Sequence, residues 1–118
     1  MKFSTAFSTS VVLALAQYAL GQVSFVVSTG TGSPTCVPGT AIGPCTQATI
    51  NAHACKGNFS PGQRCLHVGE THPNCHISVY AQPNQQGGVV QRISTASEGT
   101  IEASGDDAAW LSYGVFCP

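Results

Sequence analysis

Four histidines, His53, His67, His72 and His76, fall within twenty-four residues, and Arg64 and Glu70 lie among them. Imidazole exchanges protons near neutral pH, so such a group could act as general acid and base in a nuclease-like or other hydrolytic site. A working site also needs a second block of residues to hold the reacting atoms. No such block accompanies the histidines. The simpler reading is turn and surface histidines around a hairpin, and the expected set of catalytic residues is empty. The same rings could instead sense pH in an acidic extracellular fluid.

Other chemistry fares similarly. A serine hydrolase would want a Gly-x-Ser-x-Gly turn; Gly30-Thr31-Gly32-Ser33 is an ordinary Gly/Ser loop. Asp106-Asp107 could hold a cation or a sugar, but reads as a solvated turn before a strand. Zinc sites want two short Cys or His pairs; Cys75-His76 and the His72/His76 spacing are the nearest approach. The expectation is therefore no metal and no cofactor. Asn58-Phe59-Ser60 is a glycosylation sequon, with Pro61 directly after it.

The six cysteines, Cys36, Cys45, Cys55, Cys65, Cys75 and Cys117, read as disulfide partners. Sequence does not choose among their pairings. Cys36, with Cys45 beyond it, is a candidate tie for a long Gly/Pro loop. Any bridge from Cys117 closes a loop of more than forty residues, worth roughly 4 kcal/mol in the chain-entropy model. In a hairpin centred near residue 72, Cys65 would face about residue 79, which argues against a Cys65–Cys75 bridge. The near-uniform spacing of the first five cysteines is not backed by any repeat of the residues between them.

An oxidising compartment fits the N-terminus. Lys2, the apolar residues 11–20 and the small residues Ala19 and Gly21 have the pattern of a secretory signal over residues 1–21, cut before Gln22. The apolar run is too short to span a bilayer. Free secretion as one small domain, residues 22–118, is the expectation. Such a domain gains little net stability from its core alone. In it Lys56, Arg64 and Arg92 face Glu70, Glu98, Glu102, Asp106 and Asp107. Without clustered Lys and Arg, neither nucleic-acid binding nor membrane lysis is expected.

The elements that must position these residues are short. Residues 22–29 read as a strand and 30–44 as a Gly/Pro-rich loop; in 46–55 the alternation of Thr49, Asn51 and His53 with Ile50, Ala52 and Ala54 suits a strand, while the alanines permit a short helix with Thr46 as N-cap, the reading preferred. Residues 56–62 read as a turn, and 63–68 as a strand. The clearest unit is a hairpin of 76–82 and 89–94 across Pro83-Asn84-Gln85-Gln86-Gly87-Gly88. Ile77, Val79 and Ala81 share one face of its first strand. In the second, Val89 and Ile93 share a face and Arg92 takes the other. Residues 100–103 and the aromatic 109–117 complete a β-rich, disulfide-stabilised domain of five to seven strands, a sandwich or an α+β fold with at most one short helix. Trp110, Tyr113 and Phe116 are expected in its core, Tyr113 on the opposite parity from the other two.

Taken together, the signal, low charge and even cysteine number resemble the small secreted cysteine-rich proteins of filamentous fungi, many of which are candidate effectors. Within the chain, Phe59-Ser60-Pro61-Gly62-Gln63-Arg64-Cys65 and then Asn74-Cys75-His76-Ile77-Ser78-Val79-Tyr80-Ala81-Gln82 resemble the central region of killer-toxin-like proteins. That family's N-terminal cysteine/glycine motif and its higher cysteine count are missing, so no functional residue carries over. The resemblance implies a non-enzymatic effector that binds a host protein or glycan, acting as a monomer in the extracellular space or host apoplast. The alternatives are a killer-toxin-like antimicrobial protein and a small secreted hydrolase or ribonuclease.

Overall fold

In a computed structural model, residues 21–30, 34–103 and 110–117 are described. The signal sequence up to residue 20 and the Asp106-Asp107 pair lie outside them. Eight strands alternate along the described chain: β1 (Gln22–Ser28), β2 (Thr40–Thr46), β3 (Lys56–Gln63), β4 (Cys65–Glu70), β5 (His76–Tyr80), β6 (Val89–Ser94), β7 (Gly99–Glu102) and β8 (Trp110–Phe116). A short helix, α1 (Gln47–Asn51), follows β2, and a 3-10 turn (Pro83–Gln85) follows β5.

The strands form two four-stranded antiparallel sheets, ordered β2-β1-β4-β7 and β3-β8-β5-β6. One core lies between them. Val23, Phe25, Val27, Leu66 and Val68 of the first sheet meet Ile77, Val79, Ile93 and Val115 of the second. Alternation in β1 buries every second side chain from Val23 to Val27, as a strand with one covered face requires. Phe25 and Tyr113 cross the core edge to face, with ring centroids 5.4 Å apart. Tyr113 also stacks on Phe59 at 5.0 Å. Trp110 is fully buried.

The strands also exchange between the two parts of the chain. β3, from the N-terminal part, lies in the second sheet, and β7, from the C-terminal part, lies in the first. Arg64 alone separates β3 from β4, so the chain passes from one sheet to the other across a single residue.

Two segments differ from expectation, and both are edge strands. The loop expected over 30–44 gives way to β2 from Thr40 onward. Pro44 has no N–H to donate, and an outermost strand is where a sheet tolerates it. The turn expected over 56–62 is most of β3. Lys56, Gly57 and Asn58 pair with Gly114, Tyr113 and Ser112, and the register then shifts before Gln63 meets Trp110. That irregular stretch holds Pro61 and Gly62, whose φ is +90°.

Helix α1 starts at the expected N-cap. The Thr46 side chain accepts a hydrogen bond from the Thr49 N–H at 3.3 Å, and Ile50 anchors the helix in the core. The β5–β6 hairpin forms as read, but β5 ends at Tyr80 and leaves Ala81 exposed. Ile93 is buried, while Val89 and Val90 stay exposed where the register shifts between Val79 and Tyr80.

The cysteines pair as Cys36–Cys65, Cys45–Cys55 and Cys75–Cys117. Cys36 therefore does not bridge to Cys45; it fastens the segment after β1 to the start of β4. Cys45–Cys55 brackets α1 and straps β2 of one sheet to the entry of β3 in the other. Cys117 closes the longest loop, with a sequence separation of 42. Cys65 and Cys75 are indeed not partners, but β4 and β5 belong to different sheets and form no hairpin. That, rather than hairpin geometry, keeps them apart.

Candidate functional site

The four histidines go to three places. His67, on β4, accepts no part in any larger cluster: its Nδ1 lies 2.7 Å from the Thr100 hydroxyl and its Nε2 3.2 Å from Glu98. The Thr100 hydroxyl gives its own proton to the Pro34 carbonyl, so it accepts from His67. His72 is buried in the turn before β5. Its Nδ1 donates to the Pro73 carbonyl at 2.7 Å, and its Nε2 meets the Gln47 side chain of α1. Its backbone N–H donates to Thr95 O at 2.8 Å, and the Thr95 hydroxyl donates back to His72 O at 2.6 Å. The His72 ring thus ties the turn to α1, and the His72 backbone ties it to Thr95, just after β6. His72 Nδ1 lies 3.1 Å from Cys75 Sγ, near Cys117, but both sulfurs are joined in a disulfide and offer no thiolate to a metal.

The remaining two, His53 and His76, flank one ring. Phe116 stands 6.3 Å from His53 and 5.7 Å from His76, centroid to centroid. The sheet sets this up. His76 on β5 pairs with Phe116 on β8, so both side chains leave the outer face of the second sheet. His53, in the turn after α1, adopts a left-handed backbone with φ +55°.

The neighbouring row completes the surface. Lys56 pairs with Gly114, Gly114 with Ser78, and Ser78 with Arg92, one residue from each strand in sheet order. The middle of this row is small and covered, Gly114 and Ser78 both being buried, while Lys56 and Arg92 at its ends are exposed. The Phe116 ring leans back over Gly114: a Cβ there would lie 2.8 Å from Phe116 Cε2. His53, Lys56, Gln85 and Phe116, with Cys55 and Val115 behind, enclose a cleft of about 140 Å³.

One wall is locked by hydrogen bonds. The Asn58 amide donates to Asn84 Oδ1 at 3.1 Å and accepts the Asn84 N–H at 2.8 Å. The Gln85 N–H donates to the buried Ser112 hydroxyl, which donates to Gln82 O at 2.6 Å. The Gln85 side-chain amide lies 3.2 Å from both Gly57 O and Tyr113 O. The sequon residue Asn58 is thus exposed yet engaged in holding the 3-10 turn against β3 and β8.

Among the described residues, charge is segregated. Lys56, Arg92, His53 and His76 sit on or beside the second sheet, whereas Glu70, Glu98 and Glu102 lie on or beside β4 and β7 of the first. Among the described residues, neither Lys56 nor Arg92 is paired with a carboxylate. Burial, and then the nearby Arg92 guanidinium, hold His76 below the ordinary histidine pKa. Burial pushes the Tyr113 phenol up.

The sequence did not point to this convergence. Alternation in the hairpin already puts His76 and Arg92 opposite the core-facing Ile77 and Ile93. Lys56 joins them only because 56–63 is a strand, which its Gly and Pro residues conceal. Phe116, expected in the core, is instead half-buried at the surface. No family model, no curated protein and no solved structure matches the chain.

Proposed function

We propose that this is a secreted, disulfide-stabilised protein that works by binding, in the manner of the fungal cysteine-rich effectors it resembles. It would occupy a host extracellular or cell-surface target and so promote infection or modulate immunity. The observation that carries this reading is the Phe116 cleft, an aromatic surface beside Lys56 on a sheet pinned by disulfides, whose two exposed cations, Lys56 and Arg92, meet no carboxylate among the described residues. Rigid, half-exposed aromatic groups flanked by polar side chains are what recognition surfaces use, because little entropy is lost on contact. Three disulfides suit an extracellular setting. Among the described residues, no helix is long and apolar enough to cross a membrane. The scatter of the histidines favours binding over a hydrolytic centre built on them.

The test is a pull-down from host extracellular fluid with purified protein and with an Arg92→Glu variant. A partner retained by the native protein and lost by the variant supports the reading. Equal recovery by both, or virulence unchanged in a deletion strain, counts against it.

A further inference from the structure

We infer that the outer face of the second sheet takes an acidic polysaccharide, a chain of sugar rings bearing carboxylate or sulfate groups. This rests on the binding role proposed above and names its ligand class. Lys56 and Arg92 end one row across all four strands. Strands lie about 4.8 Å apart, so the two Cα atoms are separated by roughly 14 Å. That span is too wide for one small anion to engage both cations closely. A chain with repeating negative groups can reach them together.

The cleft beside Lys56, at one end of that row, selects a ring. The cleft of about 140 Å³ is close to the roughly 150 Å³ that admits a benzene-sized ring, and well below the roughly 300–1,000 Å³ of pockets that swallow a whole small molecule. It suits one six-membered unit of a longer ligand lying across the sheet. Phe116 offers an aromatic face to the apolar C–H side of a sugar ring, and His53 and His76 border it with groups that hydrogen-bond hydroxyls. Among the described acidic residues, Glu70 and Glu102 are on the other sheet and Glu98 directly precedes its strand β7. Nucleic acid fits less well. Its phosphates recur about every 3.4 Å along a strand and are commonly met by some 6–10 contacts, whereas this face presents two permanent cations.

Titration calorimetry on the full disulfide-bonded protein tests this with five probes: oligogalacturonate, a heparin oligosaccharide, fully methyl-esterified oligogalacturonate, polyglutamate and single-stranded DNA. At least one of the two acidic oligosaccharides binds, and which one identifies the anionic group. The uncharged ester and the ring-free polyglutamate bind at least about tenfold more weakly, a difference of about 1.4 kcal/mol. Lys56→Gln and Arg92→Gln, both at exposed positions, each weaken binding about five- to tenfold and flatten its salt dependence. Binding of the ester, polyglutamate or DNA as tight as that of the acidic sugars overturns the inference. So does no binding of either acidic oligosaccharide, or binding indifferent to both substitutions. If the sugars fail while the pull-down still yields a partner sensitive to Arg92→Glu, the ligand class falls and the binding role stands. If both fail, both fall.

Discussion

His76 and Phe116 form a cross-strand pair on β5 and β8, with rings 5.7 Å apart, one residue inside the Cys75–Cys117 disulfide. The bridge therefore clamps the end of the sheet that carries the cleft. Loop-closure entropy ranks the three bridges by the length of chain they enclose, 42, 29 and 10 residues. Replacing each cysteine pair by serine should cost about 4 kcal/mol for Cys75–Cys117, about 3.6 for Cys36–Cys65 and about 2.7 for Cys45–Cys55. Urea unfolding followed by the fluorescence of buried Trp110 gives the order. A larger loss at Cys45–Cys55 than at Cys75–Cys117 would refute it.

Acidification should weaken the fold through His76. Its pKa in the folded protein lies below the ordinary value, owing first to burial and then to Arg92. The unfolded chain therefore binds the proton more readily, and stability falls as pH drops through about 6.5 and below. Arg92→Gln removes the second cause and leaves the first. The His76 ring, followed by NMR titration, should then protonate at a higher pH than in the native protein, though still below an unstructured histidine. An unchanged titration would show that Arg92 does not act on it.

Gly114→Ala should alter the cleft while sparing the fold. The added methyl would meet the Phe116 ring at 2.8 Å, and that ring is the free end of a side chain that can rotate away. Loss of glycine's freedom in the unfolded chain offsets part of any strain by about 0.4–1 kcal/mol. The expected result is a melting temperature within a few degrees of native and a changed ring-current shift at His76. Oligosaccharide binding would weaken with no change of charge. Unaltered His76 resonances would show that the ring had not moved.

Asn58→Ala should loosen the wall of the cleft. It removes both hydrogen bonds to Asn84, at a cost of about 1–2 kcal/mol. Faster amide exchange at Asn84 is the direct readout. Asn58→Asp keeps an acceptor for the Asn84 N–H and should retain part of the protection. Equal exchange in all three proteins would mean that Gln85 and Ser112 hold the turn alone.

Much of the architecture was readable because buried strands follow simple alternation. β1 and the β5–β6 hairpin carry that pattern, β8 shows as an aromatic run, and Thr46 marks the start of α1. The two strands that were missed, β2 and β3, are edges. There Gly43, Pro44, Pro61 and Gly62 are tolerated because one side of the strand makes no ladder bonds, and the same residues read as loop. The disulfide pairs were not readable, since they depend on which sheet each strand joins. The cleft shares that limit: Lys56, Gln85 and Phe116 lie far apart in sequence and meet only through strand order.

The interlocked strands have a consequence for survival among proteases. The three bridges enclose residues 36–65 and 75–117. A single cut within either span leaves the fragments covalently joined. Between the spans, only residues 66–74 connect them. Most of that thread is β4, hydrogen-bonded on both sides by β1 and β7. The vulnerable point of that connection is the short turn after β4. Even a cut there would leave each piece holding a strand of the other's sheet, β3 in one direction and β7 in the other, so that a nicked molecule could persist as a non-covalent heterodimer of its own halves.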